Sequence, residues 1–152
     1  MNVARARIVC IGNPLARQDW VGPAVYRELC ARALPDGVEL VDGGLQGLNL
    51  LRTLDDVGCV VFVDTLVEAD AGEGAPVTGE RAMPTVIETP FERVPGDGRG
   101  FDHSGGLAYL LRAARALGEP LPRAWVVGMP ASAPTGKVRE IAARCLELAD
   151  GL

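Results

Sequence analysis

Three dispersed residues of this 152-residue sequence, Asp19, Asp64 and His103, have side chains that could together bind a metal ion or activate a water molecule. Asp64 directly follows the apolar run Val60 to Val63, and His103, the only histidine, lies between a glycine-rich stretch and a helical pattern. Two carboxylates and one imidazole suit a divalent first-row metal ion and leave coordination positions open for water or substrate. Such a site could hydrolyse an amide by lowering the pKa of a bound water or by polarising the carbonyl group.

Each of these residues also has an ordinary structural interpretation. Asp19 lies three residues before Gly22 and a predicted helix, where aspartate commonly caps the helix. Asp64 could cap the turn after its strand, and a lone histidine is more often a surface or core residue than a ligand. The positions of the three residues at the ends of predicted elements make them candidates together.

Other catalytic motifs are incomplete in this sequence. One histidine excludes a His-Glu-x-x-His zinc helix, and no Gly-x-Ser-x-Gly nucleophile elbow is present. The loop at 12–22 matches neither dinucleotide nor P-loop patterns and contains no lysine, but a nucleotide-binding α/β protein stays an alternative. The spacing also permits a Cys-His pair, although apolar flanks predict reduced, buried thiols. The cysteines are Cys10, Cys30, Cys59 and Cys145.

The elements that must position these residues alternate between short apolar strands and amphipathic helices. Strands are predicted at 6–11, 38–41, 58–63, 85–88 and 124–127, and helices at 23–33, 45–54, 107–117 and 138–149. This alternation predicts an α/β fold with a mainly parallel twisted sheet of about five strands and helices on both faces. Ligands of such sheets bind outside the carboxyl ends of the strands, where Asp64, the loop containing Asp19 and the Asp42-Gly43-Gly44 turn are expected.

Length and composition predict one domain over residues 1–152. Hydrophobic residues make up 48% and charged residues 23%, which is the balance of a globular protein. The formal net charge of -5 argues against a nucleic-acid-binding surface, and no apolar run is long enough to span a membrane. The N-terminus has no secretion-signal pattern, so we expect a cytoplasmic protein, and we expect it to be a monomer.

A set of short motifs resembles the maturation endopeptidases of nickel-iron hydrogenases. That family trims a C-terminal extension from the precursor of the hydrogenase large subunit after nickel has been inserted. The motifs occur in the family's order with similar spacings and cover nearly the whole chain. They are Ile11-Gly12-Asn13-Pro14-Leu15 continuing to Asp19 and Val21-Gly22-Pro23, Val41-Asp42-Gly43-Gly44, Val63-Asp64, His103 with its following helix, and Val126-Val127-Gly128.

The resemblance implies that Asp19, Asp64 and His103 form a metal site and carry out catalysis. It also implies that Asp42-Gly43-Gly44 lies near this site and helps to bind the substrate. The partner would be the large-subunit precursor, and the divalent metal, expected to be nickel, would arrive with that substrate. The alternative function is a non-catalytic, metal-dependent binding module for a nickel-loaded maturation partner.

Two departures from the family affect the expected site. Members often have two adjacent acids in the first loop followed by a small residue, whereas Gln18 precedes Asp19 here and the bulky Trp20 follows it. Loss of one carboxylate weakens the negative potential that attracts a cation, and Trp20 is expected to narrow the entrance. The stretch after Gly128, from Met129 to Pro134, also lacks an acid that the resemblance implies.

Overall fold

The computed structural model describes residues 4–45, 47–66, 87–93, 107–118 and 120–151. The strands in these ranges are β1 (Ala4–Ile11), β2 (Val38–Gly44), β3 (Val57–Leu66), β4 (Ile87–Pro90) and β5 (Arg123–Pro130). The α-helices are α1 (Val21–Cys30), α2 (Leu107–Leu117) and α3 (Lys137–Ala149). Two shorter 3-10 helices cover Gly47–Leu54 and Phe91–Arg93.

The strands form one sheet in the order β2-β1-β3-β5-β4. β1 pairs in parallel with β2 and β3, β3 pairs in parallel with β5, and β4 runs antiparallel to β5. The four parallel strands confirm the predicted α/β class. From β1 the chain moves to β2 on one side and then to β3 on the other, which creates a topological switch point between the carboxyl ends of β1 and β3. Open α/β sheets bind their ligands at such a point.

Helices cover both faces of this sheet, as the sequence predicts. On one face, Val61 of β3 belongs to a core with Val25 of α1 and Ile141 of α3. On the other face, Phe62 belongs to a core with Leu110 of α2. Successive strand residues point to opposite faces, so a continuous apolar run such as β3 requires a core on each side.

Strands β2, β3 and β5 each continue three residues past the carboxyl ends of the apolar runs that predict them. β3 continues through Asp64 to Leu66, because these residues pair with Gly128 to Pro130 of β5. Asp64 therefore lies inside the strand and not directly after it. In the same way, Asp42-Gly43-Gly44 forms the end of β2 and not a turn after it, because this segment continues to pair with β1.

The second predicted helix differs from its prediction in its helix type. The pattern at 45–54 forms a 3-10 helix, Gly47–Leu54, in the connection from β2 to β3. A 3-10 helix rises about 2.0 Å per residue against about 1.5 Å in an α-helix, so it spans more distance with few residues. Of the strand predicted at 85–88, residues 85 and 86 lie outside the described residues. No helix in the described part of the chain is long and apolar enough to cross a membrane.

Candidate functional site

Asp64 is a fully buried carboxylate near the carboxyl end of β3, with a relative exposure of 0%. Its Oδ1 accepts a hydrogen bond of 2.8 Å from the backbone N–H of Thr65. The alternation along β3 puts Asp64 on the same side as Phe62 and Leu66, which belong to the core under α2. Burial of a carboxylate is unfavourable unless the site compensates for its lost hydration, so such residues concentrate at functional sites.

The backbone beside Asp64 has room only for a glycine. Gly128 of β5 lies opposite Asp64 in the sheet register, and a Cβ atom there would be 2.6 Å from the Asp64 backbone oxygen. A separation below 3.0 Å is essentially never seen for real Cβ atoms. The glycine of the Val126-Val127-Gly128 motif therefore allows β5 to approach β3 closely at this carboxylate.

Asp19 is the second buried carboxylate, with a relative exposure of 5%. It lies in the loop between β1 and α1, and its Oδ2 accepts a hydrogen bond of 2.8 Å from the backbone N–H of Asn13. A Cβ atom at Gly12, where φ is 151°, would be 2.7 Å from the Asp19 backbone oxygen. The N-cap residue of α1 is Trp20. Asp19 lies one residue earlier, so it is not the helix N-cap that the sequence also allowed it to be.

Thr65 connects the two segments that carry these carboxylates. Its Oγ1 accepts a hydrogen bond of 3.2 Å from the backbone N–H of Val21. Thr65 follows Asp64 directly, and Val21 is two residues after Asp19. Since β1 and β3 are adjacent strands, both carboxylates belong to the switch-point end of the sheet. Thr65 is not among the residues predicted from the sequence, where its signal is a hydroxyl residue between Asp64 and a leucine that proves to be buried.

The Asp42-Gly43-Gly44 segment lies beside the first loop. The Gly12 backbone N–H donates a hydrogen bond of 3.1 Å to the Gly44 backbone oxygen. Asp42 is exposed, and its Oδ1 accepts a hydrogen bond of 3.2 Å from the Gly44 N–H. Gly43 is buried, and a Cβ atom there would be 3.0 Å from Cγ1 of Val9. The predicted substrate-binding segment thus adjoins the loop of Asp19.

His103 lies outside the described residues, so the structure locates two of the three predicted catalytic residues. The described chain resumes at Leu107, which is buried in the same core as Phe62 and Leu66 on either side of Asp64. Within the described ranges, no group of three or more His, Cys, Asp or Glu side chains could hold a metal ion.

The two residues that depart from the family pattern, Gln18 and Trp20, have different environments. The Gln18 side chain is exposed. The indole N–H of Trp20 donates a hydrogen bond of 2.8 Å to the Ala131 backbone oxygen, and its ring packs against the core under α1 and α3. Trp20 therefore bridges the loops that follow β1 and β5.

The cysteine prediction is wrong at one position. Cys10, Cys59 and Cys145 are buried, but Cys30 at the end of α1 is exposed. Burial raises the pKa of the Cys10 thiol well above its ordinary range and that of Cys145 to about 12. The thiolate is the nucleophilic form, so these two protonated thiols are poor candidates for a Cys-His mechanism.

Comparison with known proteins shows similarity to one family of proteases, although no protein-family model matches the sequence. The chain is 32% identical over 127 residues to the hydrogenase 2 maturation protease of Escherichia coli strain K12, covering 82% of this chain and 72% of that protein. The solved hydrogenase maturating endopeptidase HybD from Escherichia coli is 27% identical with a TM-score of 0.63, covering 95% of this chain and 88% of that chain. The hydrogenase maturation protease HybD from Thermococcus kodakarensis has a TM-score of 0.61 at 17% identity, covering 96% and 97%, which shows a similar fold.

Proposed function

Since the chain belongs to the hydrogenase maturation proteases and is an endopeptidase, we propose that it removes the C-terminal extension of a nickel-loaded large-subunit precursor of a nickel-iron hydrogenase. The observation that carries this proposal is the burial of Asp19 and Asp64 at the switch-point end of adjacent strands. Family membership favours this function over the non-catalytic binding module and the nucleotide-binding protein. We also propose that the enzyme works as a cytoplasmic monomer.

The donor set suits a divalent cation. Two carboxylates held away from water lose hydration, and a cation favours their charged forms. We propose His103 as a further ligand beside the aspartates, since it precedes the buried Leu107 by four residues and Asp64 lies on the face that α2 covers. The nickel of the precursor would then be recognised as part of the substrate.

The two aspartates can divide the chemistry of hydrolysis between them. Nickel bound with the precursor would supply a Lewis acid close to the scissile bond. A carboxylate that binds the cation is less available as a base, so the other aspartate can accept the proton of the attacking water and return it to the leaving amine. Either of Asp19 and Asp64 can take either role.

The end of β2 is suited to hold the substrate chain. Among the described strands, β2 forms one edge of the sheet, and its last residues are Asp42-Gly43-Gly44. An edge strand keeps backbone N–H and C=O groups available for an extended peptide. A substrate strand paired there would run past Gly44, which is hydrogen-bonded to Gly12 in the loop of Asp19.

The test is to mix the purified protein with the nickel-loaded precursor encoded in the same genome and to follow its mass. We expect release of a C-terminal peptide, and we expect Asp64→Asn and His103→Ala to slow this release by about 100-fold or more. Asp64→Asn keeps an oxygen to accept the hydrogen bond from the Thr65 N–H. Asp36→Asn is the matched control, because Asp36 is exposed and lies before the start of β2, at the other end of the sheet.

Two results would contradict the proposal in different ways. A folded His103→Ala protein that processes the precursor at the normal rate would remove His103 from the mechanism. Equal cleavage of a nickel-free precursor by the unmodified protein would show that nickel is not part of the recognised substrate.

A further inference from the structure

Two exposed leucines adjoin the candidate site. Leu15, which is 92% exposed, belongs to the loop that also contains Asp19, and Leu45, which is 45% exposed, directly follows the end of β2. The hydrogen bond of 3.1 Å from the Gly12 N–H to the Gly44 oxygen joins these two segments. Both leucines therefore belong to the rim of the switch-point end of the sheet.

Hydrogen bonds fix the turn that presents Leu15. The Leu15 N–H donates to Oδ1 of Asn13 at 3.0 Å, while the Asn13 N–H donates to Oδ2 of Asp19 at 2.8 Å. The Ala16 N–H donates to the Asn13 oxygen, and the Asp19 N–H donates to the Ala16 oxygen, both at 3.1 Å. These hydrogen bonds define the turn that presents Leu15 with 92% of its surface exposed.

On the face covered by α1 and α3, Trp20 bridges the loops that follow β1 and β5. Its indole N–H bonds to the Ala131 oxygen at 2.8 Å, and since β1 and β5 flank β3, this bridge spans the carboxyl end of β3. The ring packs against the core under α1 and α3, whereas Asp64 lies on the α2 face. After Leu45 the chain enters the 3-10 helix whose Leu50 belongs to the same core as Phe62 and Leu66, on the face of the sheet that contains Asp64.

We propose that Leu15 and Leu45 form the docking surface for the segment of the substrate protein that flanks the scissile bond, and that this segment packs an apolar side chain against them. The inference rests on the proposed endopeptidase function. An endopeptidase must bring a stretch of another polypeptide to its catalytic carboxylates. Leu15 belongs to the same loop as Asp19, and the Gly12–Gly44 hydrogen bond joins that loop to the segment of Leu45. The occupant is therefore the substrate chain itself.

The experiment compares Leu15→Ser and Leu45→Ser with the unmodified protein in processing the nickel-loaded precursor. We expect KM to rise about tenfold in each, the effect of losing the burial of a leucine side chain on binding. We expect kcat to stay within about twofold, because contacts made equally by substrate and transition state change KM alone. Leu15→Met, which keeps the apolar volume, should retain the normal KM.

Leu117→Ser is the matched control, since Leu117 is 64% exposed at the end of α2 that leads into the start of β5. Its KM should be unchanged, and all variants should keep the urea midpoint of the unmodified protein because the altered side chains are exposed. An unchanged KM in both rim variants would overturn the docking surface. A lower kcat at constant KM in Leu15→Ser would overturn it too, because Leu15 would then only position Asp19. Failure of the proposed function is distinguishable, since the unmodified protein would itself release no peptide.

Discussion

Oγ1 of Thr65 in β3 accepts a hydrogen bond of 3.2 Å from the backbone N–H of Val21, the first residue of α1. The first N–H groups of a helix have no partner inside it, and Trp20 at the N-cap makes no side-chain capping bond. A strand residue therefore caps this helix from across the sheet. Because the bond joins the segments of Asp19 and Asp64, it contributes both to the stability of the helix and to the geometry of the site.

Replacement of Thr65 by valine should destabilise the fold. Thr65→Val keeps the shape of the side chain but leaves the buried Val21 N–H without this acceptor, so the free energy of unfolding should fall by about 1–2 kcal/mol. Thr65→Ser keeps the hydroxyl and should lose less. Urea titrations of the three proteins measure the difference. A valine variant as stable as the unmodified protein would show that the bond does not stabilise α1.

Gly22 should tolerate no side chain at all. A Cβ atom at Gly22 would be 1.9 Å from the backbone oxygen of Ile11, so α1 could not keep its contact with the end of β1. We expect Gly22→Ala to cost about 3 kcal/mol or more, or to prevent folding. Gly136→Ala is the control, because no atom lies within 4 Å of a Cβ there and φ is -60°. Thermal unfolding should leave the control within about 0.5 kcal/mol of the unmodified protein; equal losses in both variants would contradict the steric explanation.

The strands and helices were predictable because their signals are local. Continuous apolar runs such as Val60 to Val63 predict strands buried on both faces, and helical periodicity predicts α2 and α3. The ends of the strands were less predictable, because pairing sets them. Asp64 lies inside β3 only because β5 continues beside it to Pro130, and nothing near Asp64 in the sequence encodes that register.

Part of the candidate site was also predictable from local signals in the sequence. Acids near the ends of apolar strands lie where an α/β sheet binds ligands, which led to Asp19 and Asp64. The contacts that organise these acids join distant parts of the chain. Thr65 binds Val21 from 44 residues away, and Trp20 binds Ala131 from 111 residues away. Such pairs depend on the packing of α1 and on the strand order, which local patterns do not specify.

Exposure of Cys30 should make it the reactive thiol of the folded protein. Iodoacetamide at pH 8 should modify Cys30 first, because Cys10, Cys59 and Cys145 are buried and burial raises their pKa values. The masses of proteolytic peptides, followed over time with and without urea, measure this order. A Cys30→Ser variant should stay unmodified while folded. Modification of Cys145 at a similar rate to Cys30 in the folded protein would contradict this order.

The ion pair between β4 and α3 should make stability depend on pH. Nε of Arg144 lies 2.6 Å from Oε2 of Glu88, and its Nη2 lies 2.7 Å from Oε1. This hydrogen bonding holds the pKa of Glu88 below its ordinary value of 4.5, against the opposing effect of burial. The folded state thus binds the proton of Glu88 less tightly than the unfolded state. The stabilisation is complete above the unfolded pKa and disappears as the pH falls through the lower folded pKa.

Glu88→Gln should therefore lower the free energy of unfolding at pH 7 by about 0.5–1 kcal/mol, a modest effect because both side chains are partly exposed. At pH 3 the difference from the unmodified protein should shrink as Glu88 becomes protonated. Urea titrations at the two pH values measure it. Glu140→Gln is the control, since the Lys137–Glu140 pair has the longer separation of 3.1 Å and side chains 41% and 60% exposed, so its loss should be smaller at pH 7. A Glu88→Gln loss of equal size at pH 3 and pH 7 would mean that packing, and not charge, holds β4 to α3.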